Sequence, residues 1–165
     1  MPMLTKNKKK LLFGSILIVL VIYLGFVRDS LFININYIID ELYFNQEVFH
    51  YHTMYRFLVP LGVEGLMRLK WILTFVFMLL NYGLSLLILK QLLLDSGKVM
   101  KLLSWGYVVL FVISGILFIL SKLLGFSELG YTLARRFMGV LQSPVPLMLV
   151  FSVHLMFFNI NSKKP

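Results

Sequence analysis

Three stretches of this chain carry no charged residue: Leu11 to Val27, Trp71 to Leu89 and Leu102 to Leu120, of seventeen, nineteen and nineteen residues. At 1.5 Å of rise per residue each makes roughly 26–28 Å of helix, close to the ~30 Å hydrocarbon core of a bilayer. In that medium backbone N–H and C=O groups must be satisfied within the protein, which leaves the helix as the fold for such a stretch. With 59% of its 165 residues hydrophobic, the chain reads as an all-α integral membrane protein. There is room for about four transmembrane helices in a single membrane domain over residues 1–165, and none for a separate globular domain. The absence of cysteine excludes disulfides, thiolate nucleophiles and cysteine-ligated metals.

The fourth span is the irregular one. Pro144 and Pro146 interrupt the last apolar segment, and proline removes a backbone donor while pushing the residue before it, here Ser143 and Val145, out of the α region. What remains, Leu147 to Phe158, gives about 18 Å of helix, too little to cross alone. The span must therefore run over about 138–158, with a broken backbone at Ser143–Pro146 held at membrane depth. Irregular backbone is tolerated there only when buried in protein or lining a polar cavity.

The first run follows Lys6, Lys8, Lys9 and Lys10, a charged start and apolar core that resemble a signal peptide. The core is long for one, and it ends in Gly-Phe-Val-Arg-Asp instead of a small-x-small site. An uncleaved signal anchor is expected. Residues 28–70 then form an outer interfacial region. Within it Leu31, Phe32, Ile35, Ile38, Ile39, Leu42 and Tyr43 recur at helical spacing, with Asp29 or Ser30 as a cap. This predicts an amphipathic interfacial helix on or against the membrane surface, with Tyr43, Tyr51 and Tyr55 at the bilayer boundary. The second helix is expected to start near Val63 and end at Asp95-Ser96-Gly97, a turn that makes spans two and three an antiparallel hairpin.

Charge sets the orientation. With the N-terminus inside, the inner side holds nine Lys or Arg and one acid, while the outer side holds seven and six acids. Both termini are therefore expected in the cytoplasm. The formal charge of +9, which in a soluble protein would suggest nucleic acid, is explained mostly by topology, and no nucleic-acid partner is expected. All five arginines (28, 56, 68, 135 and 136) fall on the outer side. Because arginine offers a planar fork to carboxylate or phosphate, the outer face is where function is sought.

The candidate partner- or anion-binding residues are Arg135, Arg136, Gln142 and Ser143, beside the helix break at Pro144 and Pro146. Adjacent arginines point about 100° apart on a helix, so one can face lipid headgroups while the other faces inward. The bland alternatives are anchoring by snorkelling side chains, or a buried pair with one of the outer acids. Secondary candidates are His50, His52 and His154. The first two lie in Glu47-Val48-Phe49-His50-Tyr51-His52, whose spacing is not that of a zincin and which has no evident fourth ligand, so an interfacial loop is expected and no metal. His154, in the last apolar segment, is open to a functional or a structural role. No cofactor is expected. Ser143-Pro144-Val145-Pro146 with Lys163-Lys164 imitates a C-terminal sorting signal, but no large exported region precedes it and the Pro-Glu-Pro triplet is missing.

The arrangement resembles the small bacterial integral membrane proteins associated with exosortases (the exosortase F/X-associated type). The likeness is carried by Arg28-Asp29-Ser30-Leu31-Phe32 after the first span, by Trp71-Ile72-Leu73 through Asn81-Tyr82-Gly83-Leu84-Ser85 to Leu102, and by Arg135-Arg136-Phe137 leading into Gln142-Ser143-Pro144. It implies a multi-pass accessory in the bacterial cytoplasmic membrane, whose partners are the lipid bilayer and an exosortase. Exosortases use a Cys/Arg/His set, so a chain without cysteine is not that enzyme in its usual form. A non-enzymatic accessory is therefore expected. The alternatives are a membrane enzyme using the arginines as a clamp on a lipid-linked or phosphorylated substrate, and a small oligomeric transporter using the broken helix. A clamp supplies no bond-making group, and four spans show no internal repeat.

Single cysteines placed at Lys6, Thr53, Gly97, Ser127 and Lys164 are expected to label in the order in, out, in, out, in. External labelling at Gly97 would reject this topology.

Overall fold

A computed structural model describes residues 8–44, 51–93, 97–124 and 127–161. These are all-helical: α1 (Lys8–Phe44), a 3₁₀ segment (Thr53–Leu61), α2 (Gly62–Leu92), α3 (Gly97–Leu123), α4 (Ser127–Leu141) and α5 (Val145–Asn161). Three helical stretches are long and apolar enough to cross a membrane: Leu11–Phe44, Thr53–Leu92 and Gly97–Leu123. The pair Thr132–Leu141 and Val145–Met156, bent by 63° at its break, makes a fourth if counted as one span. The spans expected from the apolar runs thus lie within α1, α2, α3 and α4–α5.

One boundary differs. The expected start of a separate amphipathic helix at Asp29 or Ser30 does not exist, because α1 continues through it. Polar side chains do not end a helix while its backbone ladder is intact. Here Arg28 closes an ion pair on its neighbour Asp29 at 2.6 Å, and Asn34 Nδ2 donates to the Ser30 carbonyl at 2.7 Å. At 37 residues, α1 is about 55 Å long and outruns the hydrocarbon core. Gly97 also differs from expectation, since it opens α3 and does not close α2. Asp95 and Ser96 lie outside the described residues.

The chain divides into two compact units, residues 23–77 and the remainder. In the 23–77 unit, Ile35 and Ile38 of α1 are fully buried together with Tyr51, Leu58 and Leu66. Leu31, Ile39 and Leu42 pack around them. Five of the seven stripe residues are therefore covered by protein, the 3₁₀ segment and the first turns of α2 lying on them, while Tyr43 stays exposed. Tyr51, expected at the bilayer boundary, is part of this core. Two polar contacts tie the elements together. Lys70 Nζ donates to Asn36 Oδ1 at 2.7 Å, and the His52 amide donates to Asn34 Oδ1 at 2.7 Å. Gly62, at φ +63°, holds the left-handed conformation that turns the 3₁₀ segment into α2.

In the other unit the core is formed by Leu17 and Val21 of α1, Ile88 and Leu89 of α2, Leu103 and Tyr107 of α3, and Leu141 and Leu147 on either side of the break. Gly14 lies so close to Leu92 that a Cβ there would come within 2.8 Å of Leu92 Cδ2. Helix α4 packs along α3, where Ser114 Oγ donates to the Ala134 carbonyl at 2.9 Å.

Neighbouring leucines give a test of this packing. Leu103 is fully buried and Leu102 is 48% exposed. Leu103→Ala is expected to destabilise the protein by about 2–5 kcal/mol through the cavity it leaves. This would be read as a lowered Tm in detergent, with Leu102→Ala close to wild type.

Candidate functional site at the helix break

Proline dictates where the last span breaks, and the positions of the two prolines make the break tolerable. Helix α4 ends at Leu141 and α5 starts at Val145. Pro144 stands just before α5 and Pro146 in its first turn, where a backbone N–H would have no acceptor within the helix. The Pro144 carbonyl already accepts the Met148 N–H at 3.0 Å. Ser143 splices the two halves: its hydroxyl donates to the Val140 carbonyl at 2.7 Å and accepts the Val145 N–H at 3.3 Å. The Gln142 and Ser143 amides close the last turn of α4 on Met138 and Val140, at 3.2 and 3.1 Å.

Another helix satisfies the Gln142 carbonyl. Asn81 Nδ2, on α2, donates to the Gln142 carbonyl at 2.9 Å, and both residues are buried. Asn81 stands near the middle of the Trp71–Leu89 run, so the break is level with the middle of that apolar stretch of α2. Around the candidate residues Gln142 and Ser143, the Val140, Gln142 and Pro144 carbonyls are engaged within the protein. Hydrocarbon makes an unpaired carbonyl too costly to leave exposed.

Around this contact the apolar runs are laced with uncharged polar groups whose role their sequence positions alone do not disclose. The Ser104 hydroxyl donates to the Met100 carbonyl at 2.9 Å, so Tyr82 supplies the proton of the 2.8 Å contact between the two hydroxyls. The Tyr82 and Tyr107 rings meet at a tilt of 58° with centroids 5.0 Å apart. Ser85, one turn beyond Asn81 on α2, is fully buried with its hydroxyl beside the Tyr107 phenol. The signal that could have pointed to this layer is the presence of Asn81, Ser85, Ser104 and Ser114 within runs made mostly of hydrocarbon side chains.

The arginine pair does not divide between outside and inside. Arg135 and Arg136 are both exposed, and neither turns inward. Helix α4 directs Ala134 and Leu141 into the protein, with Met138 packed beside them, which turns both arginines away. Among the described residues the ion pairs are Arg28–Asp29 and the exposed Arg68–Glu64 contact at 3.8 Å, so no buried pair holds either arginine. The histidines are not brought together. His50 lies outside the described residues, and His52 caps the 3₁₀ segment by accepting the Met54 N–H on Nδ1 at 3.2 Å. His154 is half-buried in α5. Among the described residues no group of three His, Cys, Asp or Glu side chains is placed to hold a metal ion.

The two kinds of buried polar group respond differently to deletion. Asn81→Leu leaves the Gln142 carbonyl without its donor and is expected to cost about 1–2 kcal/mol. Ser85→Ala removes a hydroxyl whose neighbour is the Tyr107 phenol and leaves no backbone group without a donor, so it is expected to cost less than Asn81→Leu. Unfolding in mixed detergent reads both, and a larger loss in Ser85→Ala than in Asn81→Leu would contradict the geometry.

Comparison with family models, with curated proteins and with solved structures finds no match, so the site is interpreted from its own geometry.

Proposed function

We propose that this protein is a non-enzymatic, multi-pass membrane accessory that binds a membrane partner through Arg135 and Arg136, in an exosortase-type protein sorting system of the bacterial cytoplasmic membrane. The observation that carries the reading is the exposure of both arginines on α4. An arginine that served only to lock the bundle would be buried against a carboxylate, because breaking a buried pair is what makes such a residue structural. Here the packing of α4 rests on Ala134, Met138 and Leu141, and the arginines are left to something outside the chain. The sequence resemblance supplies the class of partner, an exosortase. Guanidinium chemistry supplies the mode, paired hydrogen bonds to an anionic group. The break below the arginines, with its Val140, Gln142 and Pro144 carbonyls engaged from within, serves this reading as a rigid support for α4.

The test uses the full chain in membranes, with a photo-cross-linking residue at the exposed Thr132, one turn before the pair. Co-expressed with an exosortase of the same organism, it is expected to form an adduct that Arg135→Ala with Arg136→Ala abolishes while protein abundance stays near wild type. Lysine at the two positions is expected to restore the adduct poorly, since a point charge does not reproduce the fork. Absence of an adduct rejects the accessory function. Loss of the protein itself in the alanine variant, restored by lysine, would make the pair an anchor.

A further inference from the structure

We infer that the exposed face of α4 is a docking surface for a transmembrane helix of another protein that carries a carboxylate within the bilayer. This rests on the accessory reading above and names the chemistry of its partner.

Depth is the first argument. The Ser114–Ala134 contact sets α4 against α3, and Ser114 lies about 12 Å of helix below Lys122, where the apolar run of α3 has ended. Arg135 and Arg136 follow Ala134 directly and continue away from that end. They are thus exposed at a level where α3 presents Val108, Val109, Val112 and Ile113, all exposed apolar side chains suited to lipid. A charge at that depth is expensive unless it is paired or reaches water, and intramembrane arginines accordingly face protein or polar cavities.

The second argument is shape. At 100° per residue, Thr132, Arg135, Arg136 and Gly139 fall within about 100° of one another, on the side of α4 opposite Ala134. Thr132 and Gly139 are small and flank the pair by one turn on either side, which lets a partner backbone come close enough for a side chain to meet the guanidinium groups.

Charge identifies the occupant. A second copy of this chain has no acid to offer within its uncharged runs, 11–27, 71–89 and 102–120. Lipid phosphates belong to the headgroup layer, outside the hydrocarbon core. A carboxylate on a helix can be set at any depth, and the arginine fork receives it with two parallel hydrogen bonds. The partner is therefore a different protein with an Asp or Glu inside a span.

The full chain, reconstituted in phosphatidylcholine vesicles, is tested for energy transfer to a single-span Leu/Ala helix bearing Glu, Gln or Lys at its middle. The Glu helix is expected to associate about tenfold more tightly than the Gln helix, the scale of an interhelical polar contact in lipid, and the Lys helix more weakly than either. Arg135→Ala with Arg136→Ala should remove the Glu preference. Gly139→Ile, which leaves both charges in place, should weaken association with the Glu helix. Equal association of Glu and Gln helices, or a Glu preference that survives the double alanine change, overturns the inference. So does a preference abolished by adding phosphatidylglycerol, because headgroup phosphates would then hold the arginines. Failure here alongside an arginine-dependent exosortase adduct would reject the carboxylate and keep the accessory. The Glu preference without any exosortase adduct would do the reverse.

Discussion

One hydrogen bond makes the last span possible. A helix interrupted by two prolines inside an apolar layer leaves carbonyls that water cannot reach, and each such group costs more than the packing of a side chain returns. Asn81 donates to the Gln142 carbonyl at 2.9 Å, and the Ser143 hydroxyl takes up both the Val140 carbonyl and the Val145 N–H. Without these contacts Pro144 and Pro146 would be incompatible with membrane depth. With them the chain turns through 63° and still buries Leu141 and Leu147 in one core. Everything on α4, including the direction its arginines face, follows from that turn being fixed.

The same economy appears in the second core. The stripe of Ile35 and Ile38 is covered by Leu58 and Leu66, so α1 buries protein against protein over its last turns. The polar side of this stretch is then free to hold other elements. Asn34 positions the 3₁₀ segment through the His52 amide, and Asn36 receives Lys70. Residues that look like a water-facing set in the sequence thus form the polar frame of a small folded unit.

The long apolar helices were legible because each carries seventeen to nineteen residues without a charge, and the break was legible because proline acts through its own covalent structure. The start of the amphipathic segment was not. Asp29 and Ser30 have the chemistry of caps, but a cap acts only where the backbone ladder ends, and Arg28–Asp29 pairing on a continuous helix leaves no local trace in the sequence. His52 was visible as a histidine, while its service as an acceptor for the Met54 amide depended on a turn not readable in advance. For the arginines, the sequence shows that they diverge by about 100°. Which of the two faces protein depends on the neighbouring helix, and α3 takes Ala134, leaving both outside.

The junction between α4 and α5 has an electrostatic consequence. A helix carries partial negative charge at its C-terminus and partial positive charge at its N-terminus, each about half an elementary charge. At Gln142–Pro144 the C-terminus of α4 meets the N-terminus of α5 within one chain, and Ser143 bridges them. The opposed ends largely cancel, so the break presents no bare pole to attract an ion. The strong positive field of this region comes from the two guanidinium groups displayed about two turns before the junction, on a support that is itself almost silent.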